Sequence, residues 1–71
     1  NELTLQFFSP KEADLQLNLT DVSGKIRHAE SIHAPAGPFD KILDINNLES
    51  GIYFIEASID GKRSVHRFAK R

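Results

Sequence analysis

The sequence predicts an all-β fold, a small antiparallel β-sandwich of about six to seven short strands. Apolar and polar residues alternate along several short segments, which is the pattern of strands that bury one face. Turn-forming residues separate these segments, and no segment shows a sustained helical period of apolar residues. Short strands of this kind stabilise one another by stacking as two sheets, so a sandwich is the expected architecture.

Residues 43–59 carry the strongest strand signal, and the fold is expected to be organised around them. Their second half has one side that is apolar throughout and should face the core, namely Tyr53, Ile55, Ala57 and Ile59. Ahead of this side, Asn46-Asn47 and Ser50-Gly51 tolerate tight or left-handed backbone, and Leu48 between them can turn inward. The stretch therefore predicts a strand, a cornering loop and a second, central strand.

Two strands and a hairpin turn are predicted in the first part of the chain. Apolar residues alternate with polar ones in two runs, at Leu3, Leu5 and Phe7 and then at Leu15, Leu17 and Leu19. Residues 21–25 read D-V-S-G-K, with Asp21 where a tight turn opens and Gly24 where a positive φ is needed. This pattern is typical of a hairpin closed by a type I turn and a bulge.

The returning strand and the one after it are less regular. Residues 26–34 should form a strand, although polar side chains leave its inward face poorly marked. Pro35 and Pro38 should end it, because proline cannot donate a hydrogen bond to a central ladder. In residues 39–45, Lys41 takes a position that is otherwise apolar, which either an edge location or a bulge would reconcile.

The chain closes with a hairpin that completes the predicted sandwich. Asp60-Gly61 is a two-residue hairpin signal, and residues 62–69 should return beside the central strand. Six strands with turns between them predict a fold like those of immunoglobulin and fibronectin domains. The 71 residues are expected to form one domain, near the lower size at which a core alone stabilises a fold.

Composition excludes several classes of protein. The chain has no cysteine, which excludes a disulfide framework and a thiolate zinc site, so stability is expected to come from packing. No apolar run approaches the length of a membrane span, and no export signal is visible at the start, so membrane insertion is not expected. The net charge of −1 argues against a nucleic-acid partner.

Charge is distributed very unevenly along the chain. All ten acidic residues lie in residues 2–60 with four cations, which gives that part a net charge of −6. The last segment has five cations and no acid, Lys62, Arg63, Arg67, Lys70 and Arg71. Positive charge on a last strand can guard an edge against pairing with other chains, or it can be an address that a partner reads. Both interpretations stay open at this point.

No catalytic, cofactor or metal site is predicted. His28, His33 and His66 lie on different strands or strand ends without paired spacing, which argues against zinc. The oxygen-rich stretch around Asn46-Asn47 lacks the glycine and the ligand series of a calcium loop, and loop-forming residues explain it better. No glycine-flanked nucleophile or acid pair stands out, so the protein is not expected to be an enzyme.

The order of segments from Leu3 to Arg71 resembles the C-terminal sorting domain of type IX secretion cargo in Bacteroidetes-type bacteria. The most specific parts are the D-x-S-G-K turn, the L-D-I…L…S-G-I-Y-F block at residues 43–54, and the basic end with Phe68. The structural residues in these parts are Asp21, Gly24, Lys25, Asp44, Leu48, Gly51 and Tyr53. Members usually begin with a Y-P-N-P-like segment, which this chain lacks, so one further edge strand is expected upstream.

The resemblance implies a non-catalytic signal without a cofactor. A cargo protein N-terminal to the domain crosses the inner membrane by its own peptide, and the domain then directs it from the periplasm through the outer membrane. The implied partners are the outer-membrane translocon and an associated signal peptidase or sortase-like component. In many members the domain is afterwards removed, while the cargo is released or fixed to surface lipopolysaccharide.

Recognition is predicted at the basic last strand. Its open edge can add to a partner sheet through main-chain hydrogen bonds. The side chains expected to give selectivity are Lys62, Arg63, Arg67, Phe68, Lys70 and Arg71. Gly51 would allow the sharp turn into the central strand, and Tyr53 would anchor it. The alternative is an accessory binding module of a secreted enzyme or adhesin, for which Phe8 and Phe54 are the two outward aromatic residues.

Overall fold

A computed structural model describes residues 2–71 as six β-strands without a helix. The strands are β1 (Glu2–Ser9), β2 (Ala13–Asp21), β3 (Ile26–Ala34), β4 (Gly37–Asp44), β5 (Gly51–Ile59) and β6 (Lys62–Lys70). β1 and β4 form a two-stranded antiparallel sheet, and the other four form an antiparallel sheet in the order β3-β2-β5-β6. The two sheets form a sandwich, which confirms the predicted all-β fold.

The core lies between the sheets and is built on the two strands with the clearest alternation. β2 and β5 are the central pair, and their inward residues are buried and in register, with Leu17 opposite Ala57 and Leu19 opposite Ile55. The small sheet covers this layer with partly buried side chains, Leu3, Leu5, Phe7 and Phe39. The predicted inward face of residues 51–59 and the inward turn of Leu48 against the core are confirmed.

The hairpin turn between β2 and β3 is organised by one carboxylate. Oδ1 of Asp21 accepts hydrogen bonds from the backbone N–H of Ser23 at 2.9 Å, the hydroxyl of Ser23 at 2.6 Å and the N–H of Lys25 at 3.0 Å. The N–H of Gly24 donates to the carbonyl of Asp21 at 3.0 Å, and Gly24 has a φ of 86°. Gly24 is therefore at the predicted bulge, and the register shift between Leu19 and Thr20 is a second irregularity further along the hairpin. These contacts explain the D-x-S-G-K pattern.

Acid is expected to weaken this turn. The hydrogen bond from the Ser23 side chain, with those from Lys25 and Arg27, lowers the pKa of Asp21 from 3.8 to about 2. A carboxyl group whose pKa is lower in the folded state stabilises the fold above its unfolded pKa, and this contribution disappears as pH falls from about 4 to about 2. Asp21→Ala should therefore be less stable than the wild type at pH 7, and the difference should become much smaller as pH falls to about 2.

Urea denaturation at several pH values measures this difference. Asp40→Ala removes an exposed carboxylate of β4 and is the matched control. A gap between the Asp21 variant and the wild type that stays constant from pH 7 to about 2 would show that the carboxylate charge does not stabilise the turn.

The loop between β4 and β5 is the predicted corner. Oδ1 of Asp44 accepts the N–H of Asn46 at 2.9 Å, and the N–H of Leu48 donates to the carbonyl of Ile45 at 3.1 Å. The hydroxyl of Tyr53 donates to the carbonyl of Glu49 at 2.6 Å, which ties the loop to the central strand. The last hairpin has positive φ at both turn residues, as a type I′ turn requires.

Lys41 occupies an edge position, the first of the two explanations that the sequence allowed. Its ammonium lies 3.1 Å from Oε2 of Glu30, and Nε2 of His28 lies 2.9 Å from Oε1 of the same carboxylate. Lys41 belongs to the edge strand β4, and the other two residues belong to the edge strand β3, so the network bridges the two sheets. The β1–β4 register runs without a shift, so no bulge is involved.

Breaking this bridge should raise the pKa of Glu30. The hydrogen bond from His28, supported by Lys41, lowers the pKa of the Glu30 carboxyl. Lys41→Met removes the cation and keeps most of the apolar stem, so we expect a higher Glu30 pKa and a stability loss of about 1 kcal/mol above the unfolded carboxyl pKa. NMR titration of the carboxyl carbon measures the pKa, with Lys25→Met as control. An unchanged Glu30 pKa would contradict the bridge.

Candidate functional site

β6 is an edge strand whose charge sets it apart. It pairs only with β5, from Gly51 opposite Lys70 to Ile59 opposite Lys62, so its other edge has no backbone partner within residues 2–71. Residues 62–71 hold five of the nine cations and no acid. We call this strand with Arg71 the β6 edge. An unpaired strand edge is a template for pairing with another chain, and here it is strongly positive.

Two of the predicted recognition residues project from the outer face of the large sheet. Arg63 and Arg67 are both exposed and alternate with exposed Val65. Nη1 of Arg63 lies 3.7 Å from Oε2 of Glu56, a solvent-exposed pair of small energetic weight. Arg67 lies opposite Phe54 in the β5–β6 register. Both guanidinium groups can therefore reach a partner without disturbing the core.

Two other predicted residues are engaged in the fold itself. Phe68 points inward and stacks on Tyr53 with ring centroids 5.6 Å apart. The ammonium of Lys70 donates to the carbonyl of Leu48 at 2.7 Å and to that of Asn46 at 3.3 Å. These contacts fasten the end of β6 to the core and to the β4–β5 loop. Lys62 and Arg71 lie exposed at the two ends of the β6 edge.

The inward face of β6 contains polar residues whose orientation the sequence analysis did not predict. Lys62, Ser64 and His66 share the parity of Phe68, since they lie opposite Ile59, Ala57 and Ile55 of the inward β5 face. All three are exposed. Counting back from Phe68 in steps of two would have found them, because side chains alternate along a strand. A polar inward face means that this side of the sandwich is not closed by apolar packing.

An open groove runs between β1 and β6 where the two sheets part. It comprises two adjoining cavities of about 520 and 350 Å³, and Phe7 and His66 line both. Leu5, Ile55 and Ala57 contribute apolar surface, and Lys62 contributes a cation. We call it the β1–β6 groove. No hydrogen bond or ion pair joins β1 to β6 in the described part of the chain, whereas Lys41 and Glu30 bridge the opposite side.

The sequence analysis also considered aromatic residues, histidines and acidic residues outside the β6 edge. Phe8 is 69% exposed on the outer face of the small sheet, whereas Phe54 is half-buried on the outer face of the large sheet. His33 lies 3.2 Å from Asp14, whose hydrogen bond raises the pKa of the histidine. Among residues 2–71, no three His, Cys, Asp or Glu side chains are placed to share a metal ion. Residues 2–71 contain no helix that is long and apolar enough to cross a membrane.

The fold and the β6 edge define a small β-sandwich with one cationic surface strand. The family model described as secretion system C-terminal sorting domain matches residues 1–71. The chain belongs to this family of type IX secretion sorting domains, as the resemblance implied. Neither a curated protein nor a solved structure matches the chain.

Membership defines the role in outline. The domain is a type IX secretion sorting signal that serves an N-terminal cargo and interacts with the secretion machinery. Export leads to the cell surface or the exterior. Domains of this family are generally non-catalytic.

Proposed function

We propose that the domain is a non-catalytic signal that carries its cargo from the periplasm through the outer membrane, and that the translocon reads the β6 edge. The observation that carries this proposal is the coincidence of an unpaired strand edge with the segment that holds five cations and no acid. Main-chain groups of an open edge supply affinity for an added strand, and fixed charges steer and select the partner.

In this proposal, some residues of the β6 edge contact the partner and others hold the strand in place. Arg63 and Arg67 are exposed on the outer face and supply charge to the partner, with Lys62 and Arg71 at the ends. Phe68 and Lys70 hold the strand in place through Tyr53 and the β4–β5 loop. The β1–β6 groove leaves the inner side of β6 accessible, so an added strand would cover Ser64 and His66. Asp21, Gly24 and Lys25 act at a distance by shaping the β2–β3 turn.

An accessory binding module is the rival function, and the placement of the aromatic residues disfavours it. Carbohydrate-binding surfaces usually present exposed aromatic faces for stacking. Phe8 and Phe54 lie on the outer faces of different sheets, and the chain has no tryptophan. They cannot form one aromatic platform.

Export of a fluorescent reporter tests whether the domain suffices as a signal. The reporter carries an inner-membrane export peptide at its N-terminus and residues 1–71 at its C-terminus, in a bacterium with a type IX system. We expect fluorescence at the cell surface or in the medium with this fusion and in the periplasm without the domain. Periplasmic retention of a folded fusion would refute the proposal.

Removal of the domain after passage is a separate part of the proposal. A signal peptidase or sortase-like component of the translocon would cut between cargo and domain, as the family resemblance implies. The intact mass of the exported reporter tests this. A mass lacking residues 1–71 supports removal, and a full-length mass shows that the domain is retained.

A further inference from the structure

One other edge strand, β4, is complementary to the β6 edge in charge and in apolar pattern. Within residues 2–71, β4 pairs only with β1, so its other edge has no backbone partner there, like that of β6. Its inward residues pack or pair within the fold, which leaves Asp40, Ile42 and Asp44 on the outer face. On β6 the corresponding outer residues are Arg63, Val65 and Arg67. Each edge thus presents one aliphatic side chain between two charges, and the charges of the two edges are opposite.

These two sets come into contact in a single antiparallel register. If β4 of one copy lies beside β6 of another with Ile42 opposite Val65, then Asp40 falls opposite Arg67 and Asp44 opposite Arg63. Ile42 is 55% exposed and Val65 is 54% exposed, and they are among the most exposed large apolar residues of the described chain. Direct cross-strand pairs of opposite charge and of aliphatic side chains are both favourable. The added strand pairing satisfies free backbone groups on both edges.

We propose that β4 of one copy binds the β6 edge of a second copy in this register. The inference goes beyond the sorting function and does not depend on it. The two edges lie on opposite sides of the sandwich, because β4 borders β3 while β6 borders the β1–β6 groove. One copy therefore cannot satisfy its own edges, and the contact is head-to-tail and open-ended.

Charge explains why the occupant is β4 and not a second β6. Two β6 edges side by side would bring together two segments that each carry five cations and no acid. Lys41 does not oppose the proposed contact from β4, since its ammonium is already paired with Glu30 in its own copy. A single added strand buries little area, so we expect a dissociation constant of about 0.1–1 mM.

Sedimentation equilibrium of the 71-residue chain, with two charge variants and their mixture, tests this proposal. The β4 variant is Asp40→Lys with Asp44→Asn, where asparagine keeps an oxygen for the Asn46 amide. The β6 variant is Arg63→Glu with Arg67→Glu. We expect the wild type to associate with rising concentration and each variant alone to associate at least about tenfold more weakly. Glu12→Lys, in the exposed β1–β2 connection, is the control and should associate like the wild type.

The mixture is the decisive sample. In the β4 variant both edges are basic, and in the β6 variant both edges are acidic, so neither variant has complementary edges of its own. In the mixture, the basic β6 of the β4 variant can bind the acidic β4 of the β6 variant, and the acidic β6 of the β6 variant can bind the basic β4 of the β4 variant. Association is therefore expected to return in the mixture. A wild type that stays monomeric to about 1 mM overturns the proposal. So do variants that associate normally, or a mixture of folded variants that stays monomeric.

The same variants separate this inference from the sorting function. The β4 variant leaves the β6 edge intact, so its reporter should be exported like the wild type while self-association is lost. If wild-type export fails but the mixture associates, the sorting function is wrong and the self-association stands. If wild-type export succeeds and the mixture stays monomeric, the sorting function stands and the self-association is wrong. Circular dichroism of both variants checks the fold in each arm.

Discussion

Reversing the two outward arginines of β6, Arg63→Glu with Arg67→Glu, is expected to lower export of a fused reporter at least about tenfold while the domain stays folded. Both side chains are exposed, and the one ion pair that they form within residues 2–71 is the 3.7 Å contact between Arg63 and Glu56. The core therefore loses nothing. The charge that distinguishes the β6 edge from the acidic remainder of the chain is largely removed, and a partner that selects by charge should no longer bind.

A matched control uses the same number of charge reversals elsewhere. Lys11→Glu with Lys25→Glu changes two exposed lysines in turns outside the β6 edge and produces the same net charge. Lys25 serves the β2–β3 turn through its backbone N–H, which the substitution keeps, and the 3.7 Å pair of Lys11 with Asp60 is solvent-exposed. We expect normal export of this control, with the fraction of reporter outside the cell measured for both fusions. Equal losses of export in the two variants would mean that net charge, and not the β6 edge, governs recognition.

Leu17→Ala is expected to lower the free energy of unfolding by about 3 kcal/mol. Leu17 is fully buried at the centre of β2, opposite Ala57 on β5, and the truncation leaves a cavity between the sheets. A domain of this size is expected near the low end of the usual 5–15 kcal/mol of stability, so the loss is a large fraction of the whole. Export should fall with it, because the β6 edge is held by the same core through Phe68.

Urea denaturation measures this change. Val22→Ala is the matched control, since Val22 is 72% exposed in the β2–β3 turn and its truncation should cost less than about 0.5 kcal/mol. A Leu17→Ala midpoint close to that of the wild type would show that the two sheets do not form one packed core.

The central strands and the turns could be predicted because their signals are local. In β2 and β5 every second residue is apolar, so one sheet face follows from the sequence alone. The β2–β3 turn depends on the hydrogen bonds of Asp21 and on the positive φ of Gly24, and neither needs a distant partner. In these elements the sequence predicts the structure residue by residue.

The polar inward positions could not be predicted because their partners lie on other strands. Lys41 and Glu30 share one ion pair, but they are eleven positions apart in the sequence and lie in different sheets, so neither alone explains the other. For the same reason the inward face of β3, which carries Glu30 and His28, was unmarked in the sequence. An ion pair that bridges two edge strands depends on strand order, which periodicity does not contain.

The candidate site was predicted as a segment but not as a set of roles. Charge counting found residues 62–71, yet it placed Phe68 and Lys70 beside Arg63 and Arg67 as if all faced the same way. The register separates them, because Phe68 packs on Tyr53 and Lys70 reaches the carbonyl of Leu48. The β1–β6 groove depends on how the two sheets sit together, so the sequence alone did not reveal it.

The dependence of export on the translocon is the most direct test of the sorting function. The fusion of residues 1–71 to a reporter is compared in two strains, one with a working type IX system and one without its outer-membrane translocon, and the fraction of reporter outside the cell is measured in each. We predict reporter outside the cell in the first strain and in the periplasm of the second. Equal fractions outside the cell in the two strains would contradict the account.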